Sequence, residues 1–235
     1  MAGNKCFSLI RGRAMRVTRL DGCGEVVTGA TASVVSDGFI TVGLTAQTDE
    51  GTTISVQNAA GDICILDEPA PKFTGYEIQI EFCQVNPALY EILTGQDVVT
   101  DGATPTPGAI GFRMNSGVSA SDSGFALEVW SQVPSAACES GQGQNFGYFL
   151  VPFVQGGLLG DFTIGNDAVN FTMSGAKSKD GSGWDVGPYD VVKDATGATD
   201  GPLHVAIDPK DHLHMQLTQV PPPAASCEYI AVPAP

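Results

Sequence analysis

The run Tyr76-Glu-Ile-Gln-Ile-Glu-Phe-Cys83 constrains the fold more than any other stretch of the chain. Tyr76, Ile78, Ile80 and Phe82 alternate with Glu77, Gln79, Glu81 and Cys83, so a β-strand gathers all four apolar side chains on one face. A helix would scatter them around its circumference. The same period of two recurs at 39–46, where Ile40, Val42 and Leu44 alternate with Thr41, Gly43 and Thr45. It recurs again at 53–57, where Ile54 and Val56 alternate with Thr53, Ser55 and Gln57. Thr48-Asp-Glu-Gly51 reads as a turn between these two runs, which predicts a hairpin over 37–57.

Further strands are predicted at 63–66, 109–113, 125–130, 148–154, 169–173, 204–207 and 212–218, between turns rich in Gly, Asp, Asn, Ser and Pro. The 29 glycines and 15 prolines are scattered, so they act as turn punctuation rather than as a low-complexity tract. One short helix is predicted at 86–95. Asn86 is a good N-cap, Pro87 suits the first helical position, Leu89, Ile92 and Leu93 share a face, and Gly95 gives a left-handed stop. About ten strands and one flanking helix define a mainly β fold, a β-sandwich or partly closed barrel. A chain of 235 residues can build this as one domain without needing a disulfide or metal. The expected organisation is a basic N-terminal arm over 1–20, a β domain over 21–219, and a Pro-rich C-terminal arm over 220–235 that opens with Pro221-Pro-Pro223.

Charge is divided unevenly along the chain. The net charge is −15, from 26 acids and 11 bases. Lys5, Arg11, Arg13, Arg16 and Arg19 precede the first acid, Asp21, which leaves six bases against all 26 acids. An acidic body cannot neutralise phosphates, so stable nucleic-acid binding is not expected. The same charge would keep DNA from sticking to a wall it slides past, or would simply keep the protein soluble. The basic leading segment is either a solvated terminus or an arm that docks on an acidic neighbour. In the second case, opposite charges on two surfaces register a head-to-tail stack.

Chemistry-bearing constellations are sparse. Residues 1–19 lack the apolar core of a secretory signal, and no stretch reaches the ~20 apolar residues of a membrane span. The expectation is therefore synthesis and assembly in a cytoplasm, with Cys6, Cys23, Cys64, Cys83, Cys138 and Cys227 chiefly as thiols. Cys64 and Cys83 sit in apolar runs and are expected to be buried. No Cys-x-x-Cys pair suggests zinc, and no Gly-x-Ser-x-Gly elbow suggests a hydrolase. His212 and His214 share a strand face on spacing, but no third ligand is indicated, so they read as a solvated pair. Glu77 and Glu81 are about 13 Å apart on a strand, too far for a retaining glycosidase pair, and they read as a wet face. The acidic Gly-rich loops 180–185 and 194–200 lack the terminal bidentate Glu of a calcium loop and read as solvated turns. No catalytic residue, metal or cofactor is expected.

A set of short motifs, in order, resembles the major tail proteins of actinobacteriophages with long non-contractile tails. Arg16-Val-Thr-Arg-Leu-Asp21 with Cys23-Gly24 resembles the family's N-terminal signature, as does Asp37-Gly-Phe-Ile-Thr-Val42. Gly51, Ile54-Ser-Val-Gln-Asn58, Ala60-Gly61, Phe82-Cys-Gln-Val85, Asn86-Pro-Ala-Leu89 and Leu93-Thr-Gly95 continue it. Trp130-Ser131, Pro152-Phe-Val154, Gly183-Trp-Asp-Val-Gly-Pro-Tyr189 and the triple proline complete it. Asp185 departs from the family, which commonly has Gly there. The resemblance implies a tail-tube-like β-sandwich, hexameric rings stacked head to tail in a virion tail, and DNA as non-adhering cargo. It also implies a tape measure protein and tail terminator or tip proteins as partners.

On that reading Thr41, Thr45, Thr53, Ser55, Gln57, Glu77, Gln79 and Glu81 face a lumen, because they alternate opposite apolar neighbours. Arg11, Arg13, Arg16 and Arg19, with Asp49 and Glu50, would make ring-to-ring contacts. The rival reading is a virion decoration or host-recognition module that binds carbohydrate, with Trp130 or Trp184 as a sugar platform.

Overall fold

A computed structural model describes residues 6–105, 107–120, 124–134, 145–181, 183–194 and 196–233. In chain order the strands are β1 (Ile10–Leu20), β2 (Gly29–Ser36), β3 (Phe39–Asp49), β4 (Ile54–Gln57), β5 (Ile63–Asp67) and β6 (Lys72–Phe82). The helix α1 (Pro87–Thr94) follows, then β7 (Val98–Thr100), β8 (Ala109–Phe112), β9 (Gly124–Gln132), β10 (Phe146–Gln155) and β11 (Leu158–Leu159). The last five are β12 (Phe171–Ser178), β13 (Val192–Lys193), β14 (Asp200–Gly201), β15 (His214–Thr218) and β16 (Ile230–Val232). Among the described residues the fold is mainly β with one short helix.

A ten-stranded sheet runs β16-β2-β1-β9-β10-β12-β6-β3, with β15 also on β10 and β11 on β12. Every pairing in it is antiparallel. The join between β10 and β12 is narrow, only Val154↔Ser178 and Gln155↔Lys177. Beyond it β10 turns to β15 instead. The sheet is therefore open, with β3 at one end and β2 with β16 at the other.

Two apolar layers sandwich the strands β1, β9 and β10. Met15, Val17, Phe125, Leu127, Val151 and Val154 pack on one side with α1, β6 and β12. Leu20, Ala126, Trp130, Tyr148 and Leu150 pack on the other with Trp184, Val191, Val192, Leu203 and Ile207. The second layer is built from the largely irregular stretch after β12. Strands covered on both sides must bury every residue, and β1 from Ala14 to Thr18 does so.

That burial corrects the sequence reading of an arm over 1–20. Residues 10–20 form β1, an interior strand paired with both β2 and β9; Lys5 lies outside the described residues. The hairpin expected over 37–57 is also corrected. Asp49 ends β3 opposite Lys72 of β6, while β4 pairs with β5. The turn at 49–51 does exist, with Asp49 Oδ1 accepting the Gly51 N–H at 2.9 Å. It leads into a second, overhanging hairpin rather than back along β3. Residues 204–207 form no strand.

The helix follows its predicted ends. Asn86 Oδ1 accepts the N–H groups of Ala88 and Leu89, and Gly95 is left-handed at φ 69. Asn86 Nδ2 also donates to the Ser226 carbonyl at 3.3 Å, which ties the C-terminal segment to the helix start. Capping of this kind contributes about 1 kcal/mol. The described cysteines Cys6, Cys23, Cys64, Cys83 and Cys227 are free and exposed, so the burial expected of Cys64 and Cys83 does not occur. Cys138 lies outside the described residues.

Candidate functional site

The ladder between β3 and β6 brings five of the eight expected lumen residues together. Thr41 lies opposite Glu81 and Thr45 opposite Glu77, with Gly43 opposite Gln79 between them. Cross-strand partners share a face, so Thr41, Thr45, Glu77, Gln79 and Glu81 form one polar strip. Thr41, Thr45 and Gln79 are exposed, and Glu77 and Glu81 half-buried. The reverse face carries Val42 opposite Ile80 and Leu44 opposite Ile78, and it packs into the core. The strip's own residues are uncharged or acidic, and exposed Lys177 of β12 lies opposite Glu77 on the same face. Lys72 lies beyond it, opposite Asp49 where the ladder ends.

Thr53, Ser55 and Gln57 are not part of that strip. Thr53 precedes β4, and Ser55 and Gln57 stand opposite Leu66 and Ile63 of β5. Both faces of this hairpin mix polar and apolar residues. Ile54, Val56, Ile63, Ile65 and Leu66 are each between 45% and 57% exposed. A two-stranded hairpin with that much apolar surface in water is marginal by itself. Asp49 and Glu50 sit exposed where it leaves β3.

The four arginines separate into two pairs. Arg16 is only 7% exposed and Glu128 is fully buried. Arg16 Nε donates to Glu128 Oε2 at 2.5 Å and Nη2 to Oε1 at 2.6 Å. The guanidinium also lies 3.3 Å from the Tyr189 ring centroid and 5.2 Å from that of Trp130. Arg19 Nη2 donates to Glu91 Oε1 of α1 at 2.9 Å, and Tyr229 donates to the other oxygen of Glu91. Arg16 and Arg19 are thus internal ties, not surface contacts, because the 183–207 layer and the helix cover them. Arg11 and Arg13 remain exposed. No described carboxylate pairs with either.

Burial and charge set the ionisation of this cluster. Burial alone would lower the Arg16 pKa, but Glu128 outweighs it and leaves the pKa above its ordinary value. Burial, reinforced by Glu128, pushes the Tyr148 phenol well above its usual range, and its hydroxyl donates to Glu128 Oε1 at 2.7 Å. Tyr189 is also raised by burial, against an opposing effect of Arg16. Folded tyrosines therefore keep protons that the unfolded chain releases near pH 10. The stability they contribute is full below that pH and is lost as pH rises from there through the raised folded values. Tyr148→Phe should flatten the alkaline loss. Melting curves from neutral pH to about pH 11 check this; parallel declines in both proteins would contradict it.

A further polar chain was not legible in the sequence. Ser178 Oγ lies 2.8 Å from His212 Nδ1, and His212 Nε2 lies 2.9 Å from Asp180 Oδ1. His212 precedes β15 and is 8% exposed, so it does not form the solvated pair expected with His214. Ser, His and Asp in series are the parts of a nucleophilic relay. The surroundings point instead to a structural tie. Ser178 is buried on a strand, and its Oγ accepts the Tyr76 N–H at 2.7 Å. Asp180 is largely exposed, at 67% of its side chain. The chain fastens the loop before β15 to β12 and β6. No group of three or more His, Cys, Asp or Glu is arranged to hold a metal among the described residues.

Trp130 and Trp184 are both buried, at 1% and 3% exposure. Among the described residues, no helix is long and apolar enough to cross a membrane. No protein-family model and no curated protein matches the chain.

Proposed function

We propose that this chain is a structural subunit that assembles with copies of itself, and that the assembly is the tail tube of a long-tailed bacteriophage. Six copies would close a ring. Rings would stack head to tail in the virion tail, assembled in the host cytoplasm, around a channel that DNA crosses without adhering. The observation that carries the self-assembly is the β4–β5 hairpin, a separate two-stranded unit beyond the Asp49–Lys72 end of the β3–β6 ladder with apolar residues exposed on both faces. Such a surface is out of place on a monomer and suits an interface.

The finer identity draws on the motif likeness, and the β3–β6 strip supports it. Thr41, Thr45, Glu77, Gln79 and Glu81 are a wettable, net acidic face beside the free edge of β3, with Lys177 of β12 opposite Glu77 on its other side. Joining that edge to the β2–β16 edge of the next copy would extend the sheet and leave no edge exposed. A tape measure protein inside and terminator or tip proteins at the ends complete the reading. No step in it calls for catalysis, a metal or a cofactor.

The rival, a decoration or carbohydrate-recognition module, needs a broad exposed aromatic platform; Trp130 is 1% exposed and Trp184, although it borders a cavity, only 3%. Negative-stain microscopy of the purified protein separates the two. Annular end views and striated tubes are expected; discrete single particles at high concentration would exclude the assembly reading.

A further inference from the structure

Two exposed arginines stand near the start of β1, and an aromatic, acidic cavity lies along its second half, from Tyr189 over Arg16 to Glu25 beyond Leu20. At the first end the register with β9 slips twice, Ile10↔Gln132, Gly12↔Ser131, Ala14↔Trp130. Arg11 and Arg13 are the residues left over, with no partner on β9. Bulges of this kind re-aim side chains away from the ladder. Arg11 also holds a left-handed backbone, φ 49, which non-glycine residues avoid unless the surroundings impose it.

At the other end Asp21 N–H bonds the Glu25 carbonyl, and Gly183 N–H bonds that of Gly24. These links hold the 183–190 segment beside the end of β1. Between them lies a cavity of about 540 Å³ whose wall includes Glu25, Trp184, Asp185, Tyr189, Asp190 and Pro233. Asp185, at φ 50, is the other described non-glycine residue with a left-handed backbone. Glycine would be unstrained there; this chain places a carboxylate instead. No described base pairs with Glu25, Asp185 or Asp190. The wall combines aromatic rings with carboxylates, the combination that already holds Arg16 through Tyr189 and Glu128 inside the molecule.

We propose that Arg11 and Arg13 of one copy dock in this cavity of a second copy. The inference rests on the self-assembly reading and names the site at which copies meet. Along β1 seven residues, roughly 23 Å, separate Arg13 from Leu20 at the Glu25 end of the cavity, and no ion pair joins Arg11 or Arg13 to Glu25, Asp185 or Asp190 within one molecule among the described residues. A two-fold dimer matching either end to itself would oppose like charges, and a reciprocal two-fold pairing of arginines with cavity would close at two copies. A head-to-tail contact joins them and repeats without limit unless rotation closes it. Duplex DNA is the other polyanion that could take the arginines, but a body of net charge −15 repels it.

The test compares wild type with R11E/R13E, E25K/D190K and the chain carrying all four changes. All are read by sedimentation velocity and negative-stain microscopy, with circular dichroism to confirm folding. Each reversed pair alone should raise the concentration needed for assembly by about 30-fold or more. The fourfold variant, which restores opposite charges with the polarity exchanged, should assemble again. If wild type assembles and either reversed pair assembles equally well, the docking site is wrong and the self-assembly reading stands. Failure of the fourfold variant, although folded, also overturns the pairing. Retention of duplex DNA by wild type at physiological salt, lost in R11E/R13E, would assign the arginines to phosphate instead. If wild type never assembles, the broader reading falls with it.

Discussion

Glu128→Gln will destabilise the folded chain by roughly 3–5 kcal/mol, lowering its melting temperature by about 10 °C or more. The physical reason is asymmetric. Arg16 and Glu128 are both out of water, and each ion's desolvation is offset by the other through two short hydrogen bonds. Removing only the carboxylate charge leaves a guanidinium buried against Tyr189 and Trp130 with nothing to neutralise it. Removing both charges is a different experiment. R16M/E128L, combined with Tyr148→Phe so that no hydroxyl is stranded, should fall within about 1–2 kcal/mol of wild type or exceed it. Thermal melts of the two variants test the account together. A cost below about 1 kcal/mol for Glu128→Gln would mean that the pair is solvated and that the 183–207 layer does not cover it.

The second large effect separates folding from assembly. Every residue from 50 to 71 is exposed, and β4 and β5 pair only with each other. Asp49 and Lys72 are already cross-strand neighbours, so an Asn-Gly turn can join them directly. The shortened chain should melt within about 2 °C of wild type, because no buried apolar contact is lost. It should also lose self-assembly entirely. Melting and sedimentation of the shortened protein give both readouts. A collapse in stability would show that the hairpin belongs to the single chain's core. Unimpaired tubes would show that it is not an interface.

The parts legible in the sequence were those whose environment changes from face to face. The strand β6 was readable because Ile78 and Ile80 meet the core while Glu77 and Gln79 meet water. The helix was readable because caps are local: Asn86 and Gly95 act on their own neighbours. Strand β1 was misread for the converse reason. Arg16 and Thr18 alternate with Met15 and Val17 as a wet face would, yet a second layer buries them. Nothing local in Arg16-Val-Thr-Arg announces a partner 112 residues away. The pairing of β3 with β6 rather than β4 was hidden for a related reason. Register is set by the whole ladder, and the turn at 49–51 fits either course. The Ser178–His212–Asp180 chain joins side chains from separate elements, so no spacing rule could have found it.

The polar strip on β3 and β6 is the feature on which the assembly reading can be judged most directly. Cryo-electron microscopy of the assembled protein would show which way it faces. A closed ring is expected in which Thr41, Thr45, Glu77, Gln79 and Glu81 line a continuous central channel, with the apolar β4–β5 residues covered by a neighbouring copy. An assembly with those side chains on its outer wall or in a dry interface would contradict it, as would a protein that stays single at every concentration.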